Sequence, residues 1–295
     1  MSSVIVGLGE VLWDMLPDGK QLGGAPANFV YHAKALGQKS VESYIVSAIG
    51  DDSLGVELQS CLDRLGINHK YLHVNKDVKT GVVSVTIDKL GIPDYIIEEN
   101  VGWDFIPQVN NNFQATVDVA CFGTLAQRSD TSKKNIIDFV TTLPANALKI
   151  FDINLRQSFF NCEIIETSLK LANILKINDD ELVIVSKLLQ IFGNEDELLE
   201  IISKRYDLKL SILTKGDSGS FLYSEGKYSK HPGFKVKCID SVGAGDAFTA
   251  ATAIGLLKGF DLDKINDCSN QVASYVCTQS GATPDLPINL VNLFH

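Results

Sequence analysis

No stretch of this 295-residue chain has the roughly 20 consecutive apolar residues that a membrane-spanning helix needs. Met1-Ser2-Ser3 runs directly into Val4-Ile5-Val6, without the positively charged segment that opens a secretory signal. A cytoplasmic protein with no membrane partner is therefore expected. Basic residues are scarce as well: 26 Lys and Arg stand against 36 Asp and Glu, a formal charge of −10, and they form no cluster. A nucleic-acid backbone demands local cationic neutralisation, so nucleic acid is excluded as a partner. Any anionic small molecule has to be held by backbone amides, a metal ion and a few placed cations.

The six cysteines, Cys61, Cys121, Cys162, Cys238, Cys268 and Cys277, show no Cys-x-x-Cys spacing, and several lie in apolar runs. That is the pattern of buried thiols, not of a zinc site or a disulfide framework. The Gly-x₄-Gly-Lys-Ser/Thr phosphate loop is also missing, which removes the P-loop kinases. Gly7-Leu8-Gly9 follows an apolar strand but lacks the third glycine of a dinucleotide fingerprint, Leu12 standing in its place. What is present is ordinary for a folded enzyme: 45% hydrophobic and 21% charged residues, with no internal repeat.

Against that background one stretch stands out, Asp240-Ser241-Val242-Gly243-Ala244-Gly245-Asp246-Ala247-Phe248. It precedes small and apolar residues at helical spacing up to Lys258, with Gly259 as the stop. A helix start leaves backbone N–H groups without partners at the positive end of the helix dipole, which suits a phosphate. Gly243 and Gly245 let a ligand approach the backbone, and Asp246 among those donors is placed to take a proton from an attacking hydroxyl. On these residues alone, a carboxylate that merely caps the helix explains Asp246 as well.

Upstream, Leu22-Gly23-Gly24-Ala25-Pro26-Ala27-Asn28 leads into a helix ending at Gly37, with Pro26 in its first turn. Asn28 offers both donor and acceptor to a sugar hydroxyl, although a capped tight turn is the simpler reading. A strand across Ser43 to Ala48 and a helix carrying Leu54, Leu58, Leu62 and Leu65, closed by Gly66, read as scaffold. From Thr80 to Asp104 the apolar residues alternate, with a turn at Lys89-Leu90-Gly91, so this insertion is a hairpin outside the main sheet. Trp103 either lines a ligand mouth there or is simply buried. Strands near residues 117–122, 148–153, 173–177 and 210–214 then alternate with helical segments, the pattern of an α/β chain with a parallel sheet. Ligands of such sheets sit beyond the carboxyl ends of the strands, where Arg156 can hold an anion with two parallel bonds. Asn178-Asp179-Asp180-Glu181 is a good helix start. Thr214-Lys215-Gly216-Asp217-Ser218-Gly219 reads as a turn between strands.

Taken together and in order, these motifs resemble the ribokinase-like, or PfkB, carbohydrate kinases, most of all the bacterial-type fructokinases. The likeness covers about Val4 to Leu286 and rests on the Asp-Ser-x-Gly-Ala-Gly-Asp and Gly-Gly-x-x-x-Asn motifs. It implies one three-layer α/β sandwich over residues 1–295 with a mainly parallel central sheet. A small β lid, from insertions at about 11–22 and 80–104, covers the sugar and allows a homodimer through that lid.

It further implies ATP as phosphoryl donor, Asp246 as catalytic base, and Gly243, Ala244 and Gly245 as the anion hole. Asp14, Gly23, Gly24, Asn28 and Arg156 would bind the sugar. Asn178, Thr214, Gly216, Gly219, Gly243, Gly245 and Asn270 would bind ATP. Glu181 would reach Mg²⁺ through water, while Asp240, with the Gly281 loop, leaves K⁺ activation open. The implied reaction is phosphorylation of fructose to fructose 6-phosphate, favoured by Gly9-Glu10, Gly123-Thr124-Leu125-Ala126 and Asp152-x-Asn154-x-Arg156. Ribose, 2-keto-3-deoxygluconate, or a non-catalytic regulatory role are the alternatives.

Overall fold

A computed structural model describes residues 2–16, 19–87 and 93–295. Along the chain its strands are β1 (Ser3–Leu8), β2 (Leu12–Leu16), β3 (Gly19–Gly23), β4 (Val41–Gly50), β5 (Asn68–Asn75), β6 (Val82–Ile87), β7 (Pro93–Ile97), β8 (Val119–Phe122), β9 (Leu148–Asp152), β10 (Ile174–Asn178), β11 (Leu210–Thr214), β12 (Ser220–Ser224) and β13 (Lys227–His231). The helices are α1 (Ala25–Gly37), α2 (Ser53–Arg64), α3 (Asn111–Gln114), α4 (Asp130–Thr141), α5 (Cys162–Leu171), α6 (Asp179–Leu188), α7 (Glu195–Arg205), α8 (Ala244–Leu257), α9 (Leu262–Cys277) and α10 (Ile288–Val291).

Nine strands make the main sheet in the order β13-β12-β11-β10-β9-β8-β1-β4-β5. From β11 across to β5 every pairing is parallel, and β12 and β13 add an antiparallel edge. Strands buried on both faces carry apolar residues without a break, and successive side chains go to opposite sides. Ile5, Ile150 and Ile174 pack with α1, α2, α8 and α9, whereas Val6, Phe151 and Leu175 pack with α4 to α7. Helices thus cover both faces, as expected of a ribokinase-like sandwich. Helix α8 is buried from Ala247 through Gly255 because α1 and α9 flank it, and it stops at Gly259, whose φ is 69°.

A separate four-stranded sheet, in the order β3-β2-β6-β7, lies beside the main one, with β2 and β6 parallel. It is anchored by Trp13 and Leu22, both buried against the α1 and α2 side of the core, and Trp13 Nε1 donates to the Leu54 carbonyl at 3.0 Å. The expected insertion is therefore present, although its strands end at Ile97, short of 104. Residues Gly102–Phe105 turn back into the main core instead. There Trp103 is 1% exposed, under the Arg128 guanidinium at 3.8 Å, so it lines no mouth. The turn expected at Lys89-Leu90-Gly91 lies outside the described residues.

Candidate active site

Gly243 caps α8 with a φ of 78°, and a Cβ on it would stand 2.5 Å from the Ala282 carbonyl oxygen. Only glycine fits, because positive φ and close backbone approach coincide there. The loop behind it is tied down twice more. Asp240 accepts from the Gly281 and Val242 N–H groups, each at 3.0 Å, and His32 Nε2 lies 2.9 Å from the Ala282 carbonyl. Asp240 therefore joins two loops through its carboxylate. Of the amides assigned to the anion hole, that of Ala244 donates to Ser241 O at 3.3 Å, while those of Gly243 and Gly245, like that of Asp246 beside them, have no acceptor among the described residues.

Asp246 lies in the first turn of α8, partly accessible, and its Oδ2 accepts from Asn28 Nδ2 at 2.8 Å. Asn28 is presented by α1, whose first turn follows Gly24, a glycine with φ 104° whose Cβ would stand 2.5 Å from Glu10 O. The two motifs, 218 residues apart, thus meet through one hydrogen bond. Burial, then the charge of Asp152, push the Asp246 carboxyl up to about 6, against the pull of Asn28, Lys176 and Arg156. A carboxylate tuned toward neutrality suits a general base.

Asp14 on β2 is acted on by the same Arg156 charge as Asp246. Burial pushes its pKa to about 6, opposed by Arg156, and its carboxylate leaves no room for a side chain on Gly23. Arg156 is exposed, donates to the Leu155 carbonyl at 3.0 Å, and acts electrostatically on Asp14, Glu10 and Asp246 together.

Asn178 and Thr214 end the neighbouring strands β10 and β11 as register partners. Asn178 and Glu181 form a capping box: Asn178 Oδ1 accepts from Glu181 N at 2.8 Å, and Glu181 Oε2 from Asn178 N at 3.0 Å. Glu181 Oε1 accepts from Leu155 N at 2.9 Å, so both its oxygens already hold backbone amides. Gly216 borders open space, whereas Gly219 is needed because a Cβ would collide with the His231 carbonyl. Asn270, expected to bind ATP, is bonded within the protein through its Nδ2. It is 5% exposed, and its Nδ2 donates to Ser220 Oγ, Asn266 O and Asn266 Oδ1 at 2.7, 2.8 and 3.0 Å, which makes it an internal brace between α9 and β12. A cavity of about 500 Å³ lies between α2, Trp13, Leu22 and the 280–283 loop, and Asp246 is not among its lining residues.

The pfkB family carbohydrate kinase pattern matches residues 18–289. The chain belongs to this family. A fructokinase of Escherichia coli is 27% identical, over 97% of each chain. A sugar kinase of Pyrococcus horikoshii, solved in complex with ATP, is 25% identical with a TM-score of 0.80, covering 95% of this chain and 94% of that one. A fructokinase of Xylella fastidiosa, solved with bound ATP, shares the fold at a TM-score of 0.86 and 19% identity, over 99% and 98% of the two chains.

Three charged residues near Asp246 carry no role of their own in the sequence reading: Glu10 and Asp152, which appear there only in fructokinase-like phrases, and Lys176. Their signal was charge in an otherwise apolar strand or strand end, visible in Lys176 between Leu175 and Ile177. Glu10 is 3% exposed, and its Oε2 has no partner among the described residues. Burial, more than any neighbour, pushes its pKa up to about 7, opposed by backbone N–H groups and Arg156. A folded pKa above the unfolded value means that stability is full below about 4.5 and is lost as pH rises through about 7. Glu10→Gln should therefore match the parent at pH 5 and exceed it at pH 8 by up to ~3 kcal/mol. Urea unfolding at both pH values measures this, and an equal difference at the two would contradict it.

Proposed function

We propose that the protein transfers the γ-phosphoryl group of ATP to the primary hydroxyl of a ketose, with fructose giving fructose 6-phosphate as the favoured reaction. The observation that carries this reading is Asp246, held by Asn28 between the unpaired amides of a helix N-terminus. Asp246 takes the hydroxyl proton and the sugar oxygen bonds to the γ-phosphorus. The bond from that phosphorus to the bridging oxygen breaks, and its electron pair leaves with ADP. The Gly245 and Asp246 amides stabilise the charge on the transferring group as it moves.

Asp14, Gly23, Gly24 and Arg156 form the sugar side, with the small sheet as a lid that excludes water and so suppresses ATP hydrolysis. Asn178, Thr214 and Gly216 form the nucleotide side. Magnesium bound with the nucleotide would neutralise phosphate charge. Glu181 suits it through an intervening water, because backbone amides already occupy its two oxygens.

Fructose is supported by the full-length similarity to the E. coli fructokinase, at 27% identity. A coupled ADP-release assay with MgATP and a panel of fructose, ribose and 2-keto-3-deoxygluconate tests it. Fructose should give the highest kcat/KM, by at least about tenfold, since one pocket hydrogen bond decides between hydroxyl patterns. A preference for another sugar would replace the substrate but keep the chemistry, and no turnover with any sugar would leave a non-catalytic relative.

A further inference from the structure

Behind the mouth of α8 lies a buried ion pair that the phosphoryl-transfer scheme above does not use. Asp152 ends β9 and Lys176 lies on β10, and the two are register partners on adjacent parallel strands. Both follow an isoleucine two positions earlier, Ile150 and Ile174, whose side chains pack toward α8, so the alternation of a strand sends the pair to the same face. The structure bears this out: Lys176 Nζ donates to Asp152 Oδ1 at 3.0 Å, and Asp152 Oδ2 accepts from Thr249 Oγ1, one turn into α8, at 2.9 Å. Lys176 is 7% and Asp152 4% exposed. A Cβ placed on Gly245 would stand 2.9 Å from Lys176 Nζ, so the ammonium lies directly beneath the anion-hole backbone. Burying an ion pair gives little net stability, and here it coincides with the one place where negative charge accumulates during transfer.

We propose that Lys176, held in place by Asp152 and Thr249, is a fixed positive charge under the Gly245 and Asp246 amides that lowers the barrier to phosphoryl transfer and sets the protonation of Asp246. This rests on Asp246 being the base. Burial opposes the ammonium charge, but the carboxylates of Asp152, Glu181 and Asp246 more than reverse that effect and hold Lys176 charged well above the ordinary lysine range. Asp246 is otherwise faced by Asn28 from α1, Glu10 after β1, Cys121 on β8 and Arg156 after β9. The burial of Cys121 pushes its thiol far up, which keeps it neutral. Lys176 and Asp152 act on Asp246 with opposite signs. The serine and asparagine network around Asn270 and the β12 edge does not reach it.

The test reads the Asp246 carboxyl directly, by ¹³C NMR titration of the protein without sugar or nucleotide. Asp152→Asn removes a like charge and should lower the titration point. Lys176→Met leaves two carboxylates facing each other, and the pair should hold its last proton to higher pH. A purely structural role would not move the two variants in opposite directions. Removing one partner of a buried pair can unfold a protein, so the double variant Lys176→Met/Asp152→Asn, which leaves no orphan charge, is measured alongside. It should fold, bind ATP within about threefold of the parent by calorimetry, and lose kcat by about 10² without a matching rise in sugar KM, the scale of one lost oxyanion donor. Opposite NMR shifts with that loss support the proposal. Titration points unmoved in both single variants, or a double variant turning over within twofold of the parent, overturn it. Should Asp246→Asn stay active while the NMR shifts persist, the choice of base is wrong and the electrostatic coupling stands.

Discussion

Asp246→Asn is expected to lower kcat by about 10²–10⁴, the contribution of a general base, while ATP binds with nearly unchanged affinity. The substitution is close to isosteric, and an asparagine oxygen in place of Oδ2 still accepts from Asn28 Nδ2, now at 2.8 Å, so the mouth of α8 keeps its shape. Helix α8 also keeps its buried packing, since Ala247 through Gly255 are untouched. Loss of rate therefore isolates proton transfer from architecture. The pH profile of the parent supplies the complementary evidence. With the Asp246 carboxyl pushed up to about 6 by burial and by Asp152, kcat/KM should climb as pH rises through about 6, because the base works deprotonated. The Asn variant should show no such limb. Steady-state kinetics from pH 5 to 8, with ATP affinity by calorimetry, measure both, and turnover in the variant within a few-fold of the parent would falsify the role of Asp246.

The second large effect concerns the glycine before that helix. Gly243→Ala places a methyl group at φ 78°, 2.5 Å from the Ala282 carbonyl oxygen and 2.7 Å from Ala282 Cα. Backbone strain of this kind costs roughly 1–3 kcal/mol, and the collision with Ala282 must be relieved by moving one loop away from the other. His32 and Asp240 hold the Ala282 side firmly, through bonds of 2.9 and 3.0 Å, so the helix mouth is the part that yields. A displacement near 1 Å of the amides that face the transferring phosphate is enough to cost on the order of 10² in rate. The variant should remain folded by circular dichroism, with a lower melting temperature and kcat reduced about 10²-fold. A normal kcat would mean that the mouth can flex without penalty, or that the phosphate is received elsewhere.

The two helices that meet at Asp246 are legible in the sequence. The helix of Asp246 announces itself through a glycine-rich start and a run of small and apolar residues, and α1 through Pro26 in its first turn and Gly37 at its end. What sequence could not provide was side-chain commitment. Asn270 is expected from the family likeness to bind ATP, yet its Nδ2 is engaged by Ser220, a contact across 50 residues that no local pattern encodes. Strand β5 escaped notice because it is a sheet edge: only Leu72 of Asn68–Asn75 is buried, so its composition is polar and its alternation weak. Lys176 carries no local signature beyond its charge, and Asp152 is visible only as the first residue of Asp152-x-Asn154-x-Arg156, since the meaning of a charge inside a strand depends on which strand lies beside it.

The bond between Asn28 and Asp246 joins the first tenth of the polypeptide to its last fifth. A nascent chain emerging from a ribosome therefore displays the loop proposed to hold the sugar long before the proposed base, Asp246, has been synthesised. On the proposed scheme, a chain terminated anywhere before α8 lacks its base, so the site exists only once α8 has been made.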